Sequence, residues 1–153
     1  MERRVLRFQH MDDAVADARR LAEHGYDRVG NWSLEQNLDH LNRSLRMAQE
    51  PIAFKLPWFM RPLLKWLVFP KMRKGAVIRM RASAPKDLQP GEDLNLAEQL
   101  QEFERLAGII ESPDSKLLEL HPVFGKLNRE EWQIMQRWHA SHHLSFLLPR
   151  EAA

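Results

Sequence analysis

Cysteine is absent from the 153 residues. Its absence excludes disulfides, thiolate metal sites and a cysteine nucleophile, so ligation falls to histidine and carboxylate, and any thiol must arrive with a substrate or cofactor. A long uncharged apolar run is missing too. The nearest stretch, Leu56 to Met72, holds Arg61, Lys65, Lys71 and three prolines, short of the roughly 18 apolar residues that a span requires. Met1 to Phe8 lacks the apolar run and small-residue cleavage site of a secretory signal, so a cytoplasmic protein is expected. Nor does one charge dominate. Lys plus Arg number 23 against 21 Asp plus Glu, a formal charge of +2, which does not build a nucleic-acid surface. Phosphate-cradling glycine loops, a G-x-S-x-G elbow, HExxH and zinc-finger spacings are all lacking. At this length a single domain over residues 1–153 can bury its own core.

What is present is helical periodicity. Met11, Val15, Ala18, Leu21 and Ala22 recur at helical spacing, with Asp12 and Asp13 leading, basic residues trailing and Gly25 as a stop, so the first helix spans 11 to 24. Ser33 and Gln36 form a capping box for a second helix, whose apolar face is Leu34, Leu38, Leu41, Leu45 and Ala48 and whose end is Glu50-Pro51. A third helix is read over 94 to 111, through Leu96, Leu100, Phe103, Leu106 and Ala107. Asn128 and Glu131 open a fourth, expected to run to Leu148, with Leu127 stapled onto Trp132. Val77 to Arg81 alternates weakly, 82 to 93 reads as an extended crossover, and Leu120 to Leu127 reads as a turn-rich connection. No strand pattern of any length competes. The expected architecture is all-α, a four-helix bundle with one long crossover and a short helical insertion.

Residues 54–74 mix aromatics, prolines and six basic residues without an acid. One reading is an amphipathic segment resting on anionic lipid, or a lid over a cleft. The other, favoured because Pro57, Pro62 and Pro70 interrupt the pattern, is a short helix near Arg61 to Phe69 capping the core.

The histidines carry the chemistry. Around His139 on a helical wheel, Trp132, Met135, His143 and Phe146 fall within roughly 40°, which places the His139/His143 pair inside an apolar stripe. Imidazoles there must find partners or stay neutral, and a neutral imidazole is a good ligand for a transition metal. Spacing alone is a weak signal, since seven histidines in this length give roughly 0.3 such pairs by chance. His142 could substitute for His143. A third ligand must come from another helix. His40 is the candidate, yet it lies roughly 120° from the leucine stripe of its own helix, where a boundary histidine is the simpler reading. His121, beside Pro122, reads as a hydrogen-bonding loop residue.

Trp32-Ser33-Leu34-x-Gln36-x-Leu38-x-His40-Leu41, with His139-x-x-His142-His143-Leu144, resembles the DinB/YfiT-like superfamily of helical-bundle metal proteins over nearly the whole chain. His121-Pro122-Val123-Phe124-Gly125-Lys126-Leu127, followed by Glu130-Glu131-Trp132, is similar to a subgroup of it with no assigned reaction. The resemblance implies an up-down-down-up bundle in which His40, His139 and His143 bind a divalent metal, which reverses the wheel reading of His40. It also implies a thiol-dependent transferase, or a metal-assisted hydrolase, using zinc, nickel or iron on a small-molecule substrate, with a low-molecular-weight thiol and a homodimer among its expectations. The chain departs from the usual ending, where a glutamine follows the histidines; here Leu144-Ser145-Phe146 stand instead. The alternative is a non-catalytic bundle, either a helical binding module or a membrane-surface protein working through residues 54–74, with the histidines vestigial.

Overall fold

Capping residues set where the helices begin. The computed structural model describes residues 1–79 and 83–151, and among these the chain is mostly helical: α1 Met11–His24, α2 Leu34–Arg46, α3 Met60–Arg73, α4 Leu96–Glu111 and α5 Arg129–Leu144. Ser33 and Gln36 exchange backbone and side-chain hydrogen bonds at 3.0 and 3.4 Å, and Asn128 and Glu131 do the same at 2.9 and 3.1 Å. Each box satisfies two of the amides that a helix start leaves free. At α1 the leading amide is satisfied from another helix, since Met11 N donates to the Glu111 carboxylate at 2.9 Å.

Four of these helices enclose the core. α1 and α2 each pack against both α4 and α5. Cross-helix bonds give the directions. Met11 reaches Glu111 and Arg19 reaches Glu104, so α1 and α4 run antiparallel. Asn42 meets Gln99 and Arg46 meets Glu102, so α2 and α4 run parallel. Ser44 meets Gln136 while His40 meets His139, so α2 and α5 run antiparallel. Trp132, Phe103, Leu21, Leu34, Leu38 and Leu144 are fully buried between them.

Three expectations change. The last helix ends at Leu144 rather than Leu148, because residues Leu147–Pro149 form a strand, β4, antiparallel to β1 at Tyr26–Arg28. Gly25, at φ 76°, turns the chain from α1 into that pairing, a conformation that suits glycine. The connection 120–127 holds a tight hairpin, with β2 Leu120–His121 paired to β3 Gly125–Lys126. Strands this short carry no alternation, and tertiary pairing decides them. Thirdly, the insertion is a full helix running through Pro70. Pro62 lies in the first turn, where its missing N–H costs no intrahelical bond, and the carbonyl that Pro70 leaves unbonded belongs to solvent-exposed Trp66. The weak alternation expected over 77–81 gives no strand at Val77 to Arg79, and its last two residues lie outside the described ones, as does the first residue of the loop expected over 82–93.

Core and insertion should respond differently to truncation. Phe103, with no exposed surface, should cost about 3 to 5 kcal/mol of unfolding free energy as Phe103→Ala. Leu63→Ala, on the outer face of α3 and 54% exposed, should shift it by less than about 0.5 kcal/mol. Urea denaturation of both variants against the parent checks the contrast.

Candidate metal centre

α2 is buried on its polar side as well as its leucine face. Asn37, Asp39, His40, Asn42 and Ser44 are all buried, and His40 is only 3% exposed. The boundary reading from the wheel is therefore corrected. The loop carrying Trp32 and a short 3-10 turn at Lys86–Leu88 cover the flank that periodicity had left open.

His40 is fixed through that turn. Its Nδ1 lies 2.6 Å from the Leu88 carbonyl oxygen, which can only accept, so Nδ1 carries the proton and Nε2 presents a lone pair. The turn is itself held to α2. Asp39 accepts from the Gly91 amide at 2.9 Å and from Arg43 Nε at 3.0 Å, and Arg43 donates to the Asp87 carbonyl at 3.4 Å.

The lone pair of His40 faces His139, with the two Nε2 atoms 3.0 Å apart. His143, one turn further along α5, closes the group: ring centroids lie 4.9 Å apart for His40 and His139, 4.3 Å for His40 and His143, and 4.6 Å for His139 and His143. One ring nitrogen from each histidine falls within 4.8 Å of the others, so the three could hold one metal ion. Trp32 stacks on His143 at 5.6 Å and 14°, and its ring is 5.0 Å from that of His40. Among the described residues no carboxylate joins the cluster.

Burial keeps these imidazoles neutral. Desolvation lowers the pKa of His40 despite its bond to Leu88, and lowers those of His139 and His143 well below the ordinary value, with the neighbouring histidines adding to the effect. Neutrality is the state that metal ligation requires. His139 Nδ1 is buried without a hydrogen-bond partner, so whichever nitrogen holds its proton, one side of the ring is left unmatched. A cation between the two Nε2 atoms, accepting a lone pair from each, suits this donor set.

The remaining histidines go elsewhere. His142 is not one of the three, although its ring lies 5.0 Å from that of His143; it stacks on Trp138 at 5.4 Å with Nδ1 3.4 Å from the Arg3 guanidinium, and burial first, then Arg3, brings its pKa down to about 4. His121 is the hydrogen-bonding loop residue the sequence suggested, since its Nδ1 accepts from the Val123 and Phe124 amides at 3.0 and 3.2 Å. Its Nε2 is buried without a partner, and burial lowers its pKa to about 3.

Sequence reasoning missed the supports. Leu88 acts through a backbone carbonyl, which no side-chain pattern reveals. Gln136 is buried with its amide exchanging bonds with Ser44 at 3.3 and 3.0 Å, one turn below the His40–His139 contact. Trp32 immediately precedes the Ser33 cap, and its place there was a usable signal, because a residue before the cap packs back onto the helix it introduces.

The family described as protein of unknown function (DUF1569) matches residues 1–150. The chain belongs to that family. No curated protein and no solved structure matches it. The DUF1569 match takes in both helices of the cluster, together with Trp32 and Leu88.

The buried histidines set a pH dependence. With a pKa of 6.5 unfolded and about 3 folded, His121 leaves the unfolded chain holding a proton that the native state lacks at any pH between those values. Stability therefore falls as pH drops below about 6.5, at up to roughly 1.4 kcal/mol per pH unit for each such group, and the metal-free cluster adds in the same direction. His121→Asn, whose Oδ1 can still accept from the two amides, should flatten that slope by about one proton. Urea unfolding between about pH 4.5 and 7 measures it, and a flat parent curve would contradict neutral burial.

Proposed function

We propose that His40, His139 and His143 bind one divalent metal ion and that the protein is a metal-dependent enzyme, of the thiol-dependent transferase or metal-assisted hydrolase class. The observation carrying this reading is the convergence of three neutral imidazoles from two helices, with the His40 lone pair fixed toward His139 by the Leu88 carbonyl. Zinc, nickel and iron all suit imidazole ligands, and the donor set does not choose among them. Three protein ligands without a fourth are the set of a catalytic rather than a closed structural centre. When bound, such an ion supplies Lewis acidity that lowers the pKa of a water or a substrate thiol. The chain's own part is positional. Leu88 fixes the His40 tautomer, Trp32 walls the cluster beside His143, and the Ser44–Gln136 pair sets the register of α2 against α5.

The family resemblance also supports a DinB/YfiT-like four-helix bundle of up-down-down-up order over residues 1–153, formed by α1, α2, α4 and α5, with α3 inserted in the crossover. The helix directions derived from cross-helix bonds agree with it. In this reading the substrate is a small molecule and the co-substrate a low-molecular-weight thiol, acting in the cytoplasm. A second reading, a binding module whose ion does no chemistry, draws on one observation: among the described residues no carboxylate joins the cluster to serve as a general base.

Protein purified without a histidine tag, loaded in turn with zinc, nickel or iron(II) and desalted, should retain about one ion per chain. His40→Ala and His139→Ala should each fall below about 0.2 ions, while His142→Ala keeps the parent value. A parent below about 0.2 ions with every metal overturns the proposal. Full loading without any rate for a small thiol and a generic electrophile, or for hydrolysis of activated esters, favours the binding module.

A further inference from the structure

The insertion helix α3 is apolar on two opposite faces. Phe69 and Met72 are buried and Leu64 and Val68 pack against the core, so one face is anchored inward. The other points to solvent. Among the described residues, six of the eleven exposed large apolar side chains lie between residues 58 and 67, a clustering that scattered surface residues would not give. Trp58 is 78% exposed, Trp66 73%, Phe59 61% and Leu67 48%.

On the wheel, Phe59, Leu63, Trp66, Leu67 and Pro70 share an arc of roughly 100°, the width of an amphipathic stripe. Basic residues frame it. Lys74 continues the arc at its C-terminal end, Lys71 falls roughly 40° beyond one edge and Arg73 roughly 20° beyond the other. From residue 54 to 74 no acid interrupts the six cations. Lys65 and Arg61 are used internally, by Glu131 at 2.6 Å and the Leu56 carbonyl at 2.7 Å. Arg73 meets exposed Glu130 at 3.3 Å, and exposed Lys55, Lys71 and Lys74 have no ion-pair partner among the described residues.

We propose that the outward face of α3, with Trp58 just before it, docks on an anionic lipid bilayer. Tryptophan suits the level between headgroups and acyl chains, because its ring is apolar and its N–H polar, and lysines at the stripe's edges suit the anionic headgroups above it. The face is presented rigidly. Lys65 bolts α3 to α5 through Glu131 and to β3 through the Lys126 carbonyl, and Trp138 Nε1 donates to the Ala76 carbonyl just beyond the helix at 2.8 Å. No helix among the described residues is long and apolar enough to cross a membrane, so this contact is with one surface.

Co-sedimentation of the full chain with vesicles tests it, using phosphatidylcholine alone and phosphatidylcholine with about 30 mol % phosphatidylserine. The parent should pellet with the mixed vesicles and stay in solution with phosphatidylcholine alone. Trp58→Ser with Trp66→Ser, and separately Lys71→Glu with Lys74→Glu, should each lower the bound fraction at least roughly fivefold. Because all four residues face outward, urea midpoints of both variants should match the parent. No binding to the mixed vesicles, equal binding to both kinds, or binding unchanged by either pair overturns the proposal. So does a parent that light scattering shows to be a dimer and that Trp66→Ser turns into a monomer, since a second copy would then occupy the face. His139→Ala should pellet like the parent, which separates this surface from the fate of the metal reading.

Discussion

The seam between α2 and α5 is the constraint on which the rest of the structure depends. It buries Ser44, Gln136 and His40 between the two helices and brings His139 against His40. Each buried polar group costs free energy unless it is paired, so the two helices have few admissible alignments. Shifting α5 by one turn would take the Gln136 amide away from Ser44, and would carry His139 away from His40. Leucine against leucine tolerates such sliding; these bonds do not. The geometry of the histidine cluster therefore follows from the same contacts that align the helices.

A second layer of support comes from segments that are not helical. The turn at Lys86–Leu88 supplies the carbonyl that fixes His40, and is held by Asp39 and Arg43 from the same helix. The arrangement is reciprocal: α2 positions the turn, and the turn decides which nitrogen of His40 is free. The long connection between α3 and α4 thus reaches the cluster through backbone atoms, and substitutions in it can act on His40 without touching the ring.

The insertion helix shows a different balance. Its inward face packs against α5 and the hairpin, and its outward face leaves Trp66 in solvent, with Trp58 exposed just before the helix. Aromatics at helical spacing stand in solvent here because periodicity reports that a face is apolar, not what lies against it. Pro62 and Pro70 misled for a related reason. One sits where the first turn bonds no amides, and the other frees a carbonyl on the exposed side, so neither breaks the helix.

By itself the sequence determined the starts of α2 and α5, through Ser33–Gln36 and Asn128–Glu131, because capping acts within four residues and is visible in their order. It also determined the extent of α1 and the inward direction of His139 and His143, which follow from helical spacing. His40 as a third member came from family resemblance, against its position on the wheel. Only the tertiary structure decided that His40 is buried, that His142 points to Arg3 instead, and that the chain ends its last helix at Leu144 to pair Leu147–Pro149 with Tyr26–Arg28. Those outcomes turn on what packs against a flank, which carbonyl lies within reach and which distant strand is available. Contacts of that kind join residues about 50 to 140 positions apart, beyond the range at which local pattern carries information.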